Sequence, residues 1–330
     1  MPHQLFRTPI EIPDFEPKIS YGSKLMLIGS CFTENIGNLL LSHRFNTVVN
    51  PFGIVYNPAS IASNLAMLME KKQFTETDLN FYNELWFSFY HHSDFSSIAA
   101  ADCLTNINNT IEKSSEFLSS ADYLILTLGT SWIYQFRQTG QLVNNCHKMP
   151  SSLFDRTLLN VDDIKKSLSE TLQKLNEFNP KLRIILTVSP VRHWKDGAVA
   201  NQISKSTIII ACHQLMQRFE QVSYFPAYEI MMDELRDYRF YASDMLHPNQ
   251  IAVDYIWDCF VEKFLNKEAR NAMELVKKIV SARNHLPLFP ESKNFNKFVQ
   301  ISIRQIQNIQ NQFPAVDLTA DMNYFQKLLL

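Results

Sequence analysis

Two potential nucleophiles stand side by side near the N-terminus, in the sequence Gly29-Ser30-Cys31. An apolar run at 24–28 precedes them and residues with helical spacing follow, which predicts a buried strand, a tight turn and a helix. Backbone N–H groups at the start of a helix have no partner within it, so they lower the pKa of a thiol and stabilise an oxyanion. The turn therefore suits a nucleophile, although small residues needed only for tight packing would give the same pattern.

A carboxylate precedes an imidazole by three residues in a second segment, from Asp244 to His247. Pro248 holds His247 out of the α-helical region, which places this histidine on a loop just before a helix, with Asp244 near enough to orient its Nδ1. Such a pair supplies the base and the orienting acid of a catalytic triad. The spacing alone is a weak signal, because a surface loop carries an Asp and a His by chance. The spacing becomes a more specific signal in combination with a candidate nucleophile at the end of a strand.

These two segments resemble the first and last blocks of SGNH-type esterases and lipases, which carry the nucleophile and the Asp and His of a triad. More closely, the chain resembles the GSCFA-domain family over about residues 20–260. The resemblance implies a flavodoxin-like, three-layer α/β/α sandwich with a mostly parallel sheet, and it does not provide a substrate. The matching segments are GSCF at 29–32, NPFGIVYNP at 50–58, NCHK at 145–148, SPVRHWKDG at 189–197 and the run from Tyr228 to Pro248 that ends in SDMLHP.

The resemblance also ranks the two nucleophiles. Aligning the strand before the turn with that of the esterases puts Cys31 where their serine stands and Ser30 where their aspartate stands. A helix N-terminus and a nearby imidazole both favour a thiolate, so we expect Cys31 to be the nucleophile. Against this, a buried cysteine is commonly an apolar filler, and Ser30 would keep the chemistry of the wider group.

The resemblance does not supply every oxyanion donor, because the chain departs from the esterase pattern. Where the esterases have Gly-x-Asn-Asp, this chain reads Gly129-Thr130-Ser131-Trp132, so their oxyanion asparagine is missing. The resemblance implies backbone N–H groups at residues 31 and 53 in its place. Ser131 or Asn145 is a candidate for a side-chain donor.

Four further polar residues are candidates for the lining of a pocket, since each adjoins a strand-like run and aromatic residues: His92, His147, Arg192 and His193. Taken singly, each residue of this kind is more often structural. His92, His147, His193 and His247 would also serve as metal ligands, but no HxH or HExxH spacing supports a metal site. We therefore expect neither a metal nor an organic cofactor.

Strands and helices alternate along the first part of the chain. Apolar runs end at Ile28, Leu128 and Val188, and helical spacing covers 105–119, 161–178 and 202–221, with a further strand at 224–231 and a helix after Pro248. This alternation predicts a parallel or mostly parallel sheet covered on both faces, with ligands at the carboxyl ends of the strands. From about 266 onward strands vanish, so we divide the chain into an α/β domain, 1–265, and a helical C-terminal extension, 266–330.

Composition excludes several classes of partner. The 330 residues carry a net charge of −2, so no basic excess favours nucleic acid or an anionic membrane. The five cysteines are scattered without a CxxC pair, and no apolar run is long enough for a membrane span or a signal peptide. These features predict a cytoplasmic protein that acts on a small ligand.

Together these features favour an esterase or acyltransferase with a nucleophile-His-Asp triad. We expect its substrate to be an acyl ester, such as an O-acetyl ester, of a small or carbohydrate-like molecule. The alternative is a protein that binds ligands on an SGNH-like fold without turnover, which the absent asparagine favours. The sequence leaves the oligomeric state open.

Overall fold

This computed structural model describes residues 8–285 and 288–329. Their strands form three separate sheets. The main sheet has five parallel strands in the order β10-β9-β5-β1-β2, and the others are a β3-β4 hairpin and an antiparallel β7-β6-β8 sheet. The strands are β1 (Lys24–Gly29), β2 (Asn46–Val49), β3 (Asn80–Tyr82), β4 (Leu85–Phe87), β5 (Tyr123–Leu128), β6 (Trp132–Phe136), β7 (Gln141–Val143), β8 (Phe154–Leu158), β9 (Arg183–Val188) and β10 (Val222–Phe225).

The three apolar runs identified in the sequence form the centre of the main sheet. They are β1, β5 and β9, and Leu27 of β1 pairs with Ile125, which pairs in turn with Ile185. Strands covered on both faces are apolar along their whole length, which is why these three read as continuous runs. The prediction of a mostly parallel sheet is confirmed.

Helices cover both faces of the main sheet. They are α1 (Cys31–Ser42), α2 (Pro58–Met69), α3 (Ala100–Ser119), α4 (Val161–Phe178), α5 (Gly197–Arg218), the short α6 (Ala227–Glu229), α7 (Gln250–Phe264), α8 (Lys267–Arg283), α9 (Lys293–Gln312) and α10 (Thr319–Lys327). Among the helices described, none is both long enough and apolar enough to cross a membrane.

Alternate residues of each central strand face opposite layers. Leu25 and Leu27 of β1 belong to the core formed with α1, α7 and the C-terminal helices, whereas Met26 and Ile28 belong to the core formed with α2, α3, α4 and α5. This follows from the two-residue period of a strand. The fold is therefore the predicted three-layer α/β/α sandwich with additional C-terminal helices.

The prediction of a strand over 224–231 is wrong in its second half. The strand β10 ends at Phe225, and Pro226 leads into α6 and a π-helical segment, Ile230–Glu234. Proline has no N–H to donate to a neighbouring strand and fixes its own φ, so it ends the pairing. Sequence reasoning also missed the antiparallel β7-β6-β8 sheet, which begins at Trp132, shortly after β5 ends.

The C-terminal helices pack on the layer that contains α1 and α7. Ile279 of α8 and Val299 and Ile306 of α9 are buried in the same core cluster as Leu40 of α1. These apolar side chains of the C-terminal helices are thus covered by the α/β part of the chain. The domain boundary near residue 265 stays a prediction.

Candidate active site

Gly29 shapes the turn that presents the two candidate nucleophiles. A Cβ at this position would lie 2.3 Å from Thr127 O of the neighbouring strand, so only glycine fits without a shift of the backbone. The Gly29 N–H donates to Asn50 Oδ1 at 2.8 Å, and its carbonyl accepts from Val55 N at 3.0 Å. Contacts from β5 and from the segment after β2 therefore hold the turn in place.

The structure distinguishes Ser30 from Cys31 by accessibility. Ser30 is 1% exposed, and its buried Oγ has no hydrogen-bond partner among the described residues. Cys31 is partly exposed and is the first residue of α1. Burial raises the pKa of the Cys31 thiol, while the N–H group of Phe32 and the charge of Lys205 oppose that rise. Of the two residues, Cys31 is the one that a substrate can reach.

Asp244 and His247 form the pair that their spacing predicted. His247 Nδ1 lies 2.6 Å from Asp244 Oδ2, and Asp244 Oδ1 accepts from the backbone N–H groups of Leu246 at 2.9 Å and His247 at 3.0 Å. The N–H of His247, the N–H of Leu246 and the imidazole together lower the pKa of Asp244 to about 2. An ionised Asp244 accepts a hydrogen bond from Nδ1–H, and in that tautomer Nε2 is the ring nitrogen free to accept a proton.

The loop that carries this pair is anchored near the carboxyl edge of the main sheet. Arg192, which follows β9, donates its N–H to Leu246 O at 3.3 Å, and Ala242 N donates to His247 O at 2.8 Å. Within the described residues, no hydrogen bond joins His247 to Cys31 or Ser30. Contacts between a base and its nucleophile are often long before substrate binds, so the triad stays a prediction.

Two of the four candidate oxyanion donors, the Gly53 N–H and Ser131, are engaged elsewhere. The Gly53 N–H donates to Asn50 O at 2.7 Å in a turn where Gly53 has φ +76°. Ser131 is fully buried, and both its N–H at 2.8 Å and its Oγ at 3.1 Å donate to Ser204 Oγ. Asn145 lines a cavity, although its Oδ1 accepts from His147 N at 2.8 Å. Of the two side-chain candidates, only Asn145 keeps a free donor.

Two of the candidate histidines make contacts that are typical of structural residues. His147 Nε2 lies 3.0 Å from Ser88 O and its ring packs on Phe87 with centroids 4.0 Å apart, and burial lowers its pKa to about 4. His92 Nδ1 lies 3.0 Å from Asp94 Oδ2 on an exposed turn. In the described ranges, no group of three or more His, Cys, Asp or Glu side chains is placed to hold a metal ion.

The other two candidates lie closer to the proposed chemistry. His193 lines the cavity, and burial together with the charge of Arg156 lowers its pKa. The guanidinium of Arg192 lies over the ring of Trp194, 4.6 Å from its centroid. The segment after β9 thus brings a cation and an imidazole to the same edge of the sheet.

A cavity of about 400 Å³ has Tyr56 in its lining, and Tyr56 directly follows Val55, whose N–H donates to Gly29 O at 3.0 Å; neither Cys31 nor His247 lines the cavity itself. Burial raises the pKa of Tyr56, and the negative charges of Cys31 and Glu34 add to the rise. Arg156 stacks on Trp132 at 4.0 Å and binds Asp196 through both guanidinium nitrogens Nη1 and Nη2. The lining includes Tyr56, Asn57, Trp132, Tyr134, Asn145 and His193.

Sequence reasoning missed Lys205, a fully buried lysine in α5. It is 1% exposed, its Nζ donates to Ser189 O at 2.7 Å, and burial lowers its pKa to about 7. A signal was present, because helical spacing puts Lys205 on the same face as the buried Ile208 and Cys212. A lysine on an apolar face of a helix merits attention as a functional residue.

Two protein-family models match this chain. The model of the GSCFA family matches residues 24–260. The chain belongs to the GSCFA family. A second model, of the C-terminal domain of GSCFA domain proteins, matches residues 276–330. No curated protein sequence matches this GSCFA chain. The resemblance identified from the sequence is thus confirmed.

Solved structures similar to this GSCFA chain include three esterases. The first is a carbohydrate esterase family 3 protein from Talaromyces cellulolyticus, with 11% identity over 78% of this chain and 99% of the other and a TM-score of 0.35. Another, the family 3 carbohydrate esterase from Clostridium thermocellum, has 12% identity over 78% and 98% and a TM-score of 0.34. The acetyl xylan esterase Est2A from Butyrivibrio proteoclasticus has 13% identity over 77% and 66% and a TM-score of 0.35.

Proposed function

We propose that this protein is an ester hydrolase or acyltransferase in which Cys31 is the nucleophile, His247 the base and Asp244 the residue that orients His247. The observation that carries the proposal is the Asp244–His247 pair, with its 2.6 Å contact. Such a pair fixes the imidazole in the tautomer that accepts a proton at Nε2. The partly exposed Cys31, at the start of α1, supplies the thiol that this base would deprotonate.

In the proposed reaction, Cys31 Sγ attacks the ester carbonyl carbon after His247 Nε2 takes the thiol proton. The N–H groups of Cys31 and Phe32 at the start of α1 are the donors best placed for the resulting oxyanion. As the carbon–oxygen bond breaks, His247 gives its proton to the leaving alkoxide, which leaves a thioester on Cys31. Water then cleaves the thioester in a hydrolase, whereas a second alcohol takes the acyl group in a transferase.

The cavity favours a small acyl ester of a polar, carbohydrate-like molecule. Its volume of about 400 Å³ is within the range of small-ligand sites. The rings of Trp132 and Tyr134 offer flat apolar surfaces for the faces of a sugar, and the amide of Asn145 offers hydrogen bonds to its hydroxyl groups. We infer from this combination that the acyl group is short and that the alcohol part occupies the cavity.

Hydrolysis of p-nitrophenyl acetate by the purified protein tests the proposal. Cys31→Ala should abolish turnover, whereas Ser30→Ala, which changes the neighbouring residue in the same turn, should keep most of it. If instead Ser30→Ala is inactive and Cys31→Ala is active, the nucleophile is the serine. Mass spectrometry of the protein quenched during turnover should show the acyl group on the peptide that contains Cys31.

A second candidate function is ligand binding without turnover. It is favoured by one observation, that the described residues contain no hydrogen bond from His247 to either nucleophile. A wild-type rate no higher than that of the Asp244→Ala/His247→Ala double variant would support binding alone. Binding of acetylated sugars to the cavity, measured by calorimetry and lost in Trp132→Ala, would then define the function.

A further inference from the structure

Lys195 is the only Lys, Arg, Asp or Glu among the described residues that line the cavity. Its Nζ donates to the Tyr134 hydroxyl at 2.9 Å. The neighbouring carboxylate, Asp196, pairs instead with the guanidinium of Arg156. The charge of Lys195 is therefore left without a carboxylate partner among the described residues, and a cation of this kind in the wall of a cavity favours an anionic ligand.

Asn57 supplies a fixed hydrogen-bond donor to the same cavity. The residue is only 5% exposed, and its Oδ1 accepts from Ser60 N at 2.8 Å as the cap of α2. A backbone N–H can only donate, so this contact identifies the oxygen and leaves Nδ2 as the free end of the amide. Nδ2 donates to no described residue, and Asn57 lines the cavity. A ligand in the cavity is thus the partner available to this donor.

The same arrangement recurs at two other residues of the lining. Asn145 Oδ1 accepts from His147 N at 2.8 Å, which again leaves Nδ2 as the free end of the amide. The hydroxyl oxygen of Tyr134 accepts from Lys195, so the hydroxyl proton remains for another partner. Among the polar side chains of the lining, the neutral ring of His193 differs in having one donor and one acceptor nitrogen. The free amide and ammonium groups of the lining are all donors.

A matching ligand has several acceptor oxygens, one negative charge and a flat apolar face for the rings of Trp132 and Tyr134. A sugar that carries a carboxylate combines these features. The single charge of Lys195 matches the single charge of a carboxylate, whereas a phosphate monoester carries a charge close to −2 at neutral pH and would leave part of it uncompensated.

We propose that the cavity binds a sugar acid, whose carboxylate contacts Lys195 and whose other oxygens accept hydrogen bonds from Asn57 and Asn145. The alcohol part of the ester would then be an acylated sugar acid. This inference deepens the proposed function and rests on it for the ester bond. Binding of the sugar acid itself needs neither the nucleophile nor the base.

Titration calorimetry of the full chain with two glycosides tests the inference. Methyl glucuronoside and methyl glucoside share one ring and differ in a carboxylate against a hydroxymethyl group. The wild type should bind the glucuronoside about tenfold more tightly at low salt, because a charge-assisted hydrogen bond is stronger than a neutral one. Neither glycoside contains an acyl ester, so turnover does not complicate the measurement.

Substitutions of two exposed lysines separate the contact from a general effect of charge. Lys195→Gln should reduce the preference for the glucuronoside to within about twofold, whereas Lys195→Arg should keep most of it. Lys148→Gln is the matched control, since it removes a cation that does not line the cavity, and it should leave the preference unchanged. 

Asn57→Asp changes the donor without removing the cap of α2. A carboxylate also accepts from Ser60 N, so the helix keeps its N-cap. The free donor is replaced by a negative charge that repels the ligand, and binding of the glucuronoside should weaken by about tenfold or more.

Equal affinity of the wild type for the two glycosides, binding of neither, or a preference that survives Lys195→Gln would overturn the inference. Glucose 6-phosphate distinguishes the kind of anion, because tighter binding than that of the glucuronoside would reject the carboxylate in favour of a phosphate. Failure to hydrolyse p-nitrophenyl acetate by a protein that binds the glucuronoside as expected would count against the proposed function alone.

Discussion

Replacing Asp321 with asparagine should weaken the attachment of the C-terminal helices to the α/β part of the chain. Asp321 of α10 is fully buried and binds two arginines. Its carboxylate accepts from Nε and Nη2 of Arg44, both at 2.7 Å, and from Nη1 of Arg283 at 2.9 Å. Arg44 follows α1 and Arg283 ends α8, so one carboxylate joins three separate elements.

The size of the effect follows from what the substitution leaves behind. Removing one partner from a buried ion pair costs about 3–5 kcal/mol, because the remaining charge is uncompensated. Arg44 and Arg283 are 23% and 35% exposed, so water replaces part of the lost interaction. We therefore expect Asp321→Asn to lower the free energy of unfolding by about 2–3 kcal/mol.

The pH dependence of this loss has a definite sign. Burial alone raises the pKa of Asp321, but the hydrogen bonds from Arg44 and Arg283 outweigh it, and the pKa is lowered on balance. A carboxylate whose pKa is lower in the folded state stabilises the fold above its unfolded pKa of about 4, and this contribution is lost as the pH falls through the folded pKa. The difference in the free energy of unfolding between variant and wild type should thus be constant from about pH 6 to 8 and shrink below about pH 4.

Urea unfolding at neutral pH, followed by circular dichroism, measures the effect. The matched control is Asp155→Asn, which breaks the pair of Asp155 with Arg137, two side chains that are 55% and 58% exposed. This control substitution should lower the free energy of unfolding by less than about 1 kcal/mol. Equal stability of Asp321→Asn and the wild type, or an equal loss in the control, would refute the reasoning.

Four further outcomes are expected. His247→Ala should abolish ester hydrolysis with a melting temperature within about 2 °C of the wild type, because the side chain is exposed. Asp244→Asn should reduce turnover by about 10²–10⁴-fold, since an amide does not fix the imidazole tautomer; an unchanged rate would remove Asp244 from the triad. Gly29→Ala should lower the melting temperature, because its Cβ would meet Thr127 O. A fragment of residues 1–265 should aggregate in size-exclusion chromatography, and a monodisperse fragment would contradict the packing argument.

The parts of the fold that could be predicted are those with a local signal. The runs in β1 and β5 are apolar at nearly every position because both strands are covered on two faces. The helix predicted at 161–178 has the same bounds in the structure, where the Asn160 side chain accepts from Asp163 N at the first turn. The β7-β6-β8 sheet was missed because its short strands are only partly buried and lack such a run.

The site shows the same division between local and distant signals. Asp244 and His247 are three residues apart, so the sequence alone was enough to suggest their contact. Whether Ser131 and Gly53 are free to act as oxyanion donors depends on partners that local patterns do not reveal. Ser131 binds Ser204, 73 residues away, and Gly53 closes a turn with Asn50. Lys205 differs from these two, because helical spacing alone places it on the same face as the buried Ile208 and Cys212, so its local signal was present in the sequence.

The two halves of the proposed triad are held by parts of the fold that differ in burial. The core strands and Asn50 fix the backbone before Cys31, whereas an exposed loop carries His247, and 49% of that side chain is accessible. Changes in the turn should therefore alter stability and activity together, while changes in the loop should alter activity alone. Because the loop contacts the segment that follows β9 through Arg192, substitutions in that segment should also change activity through the position of His247.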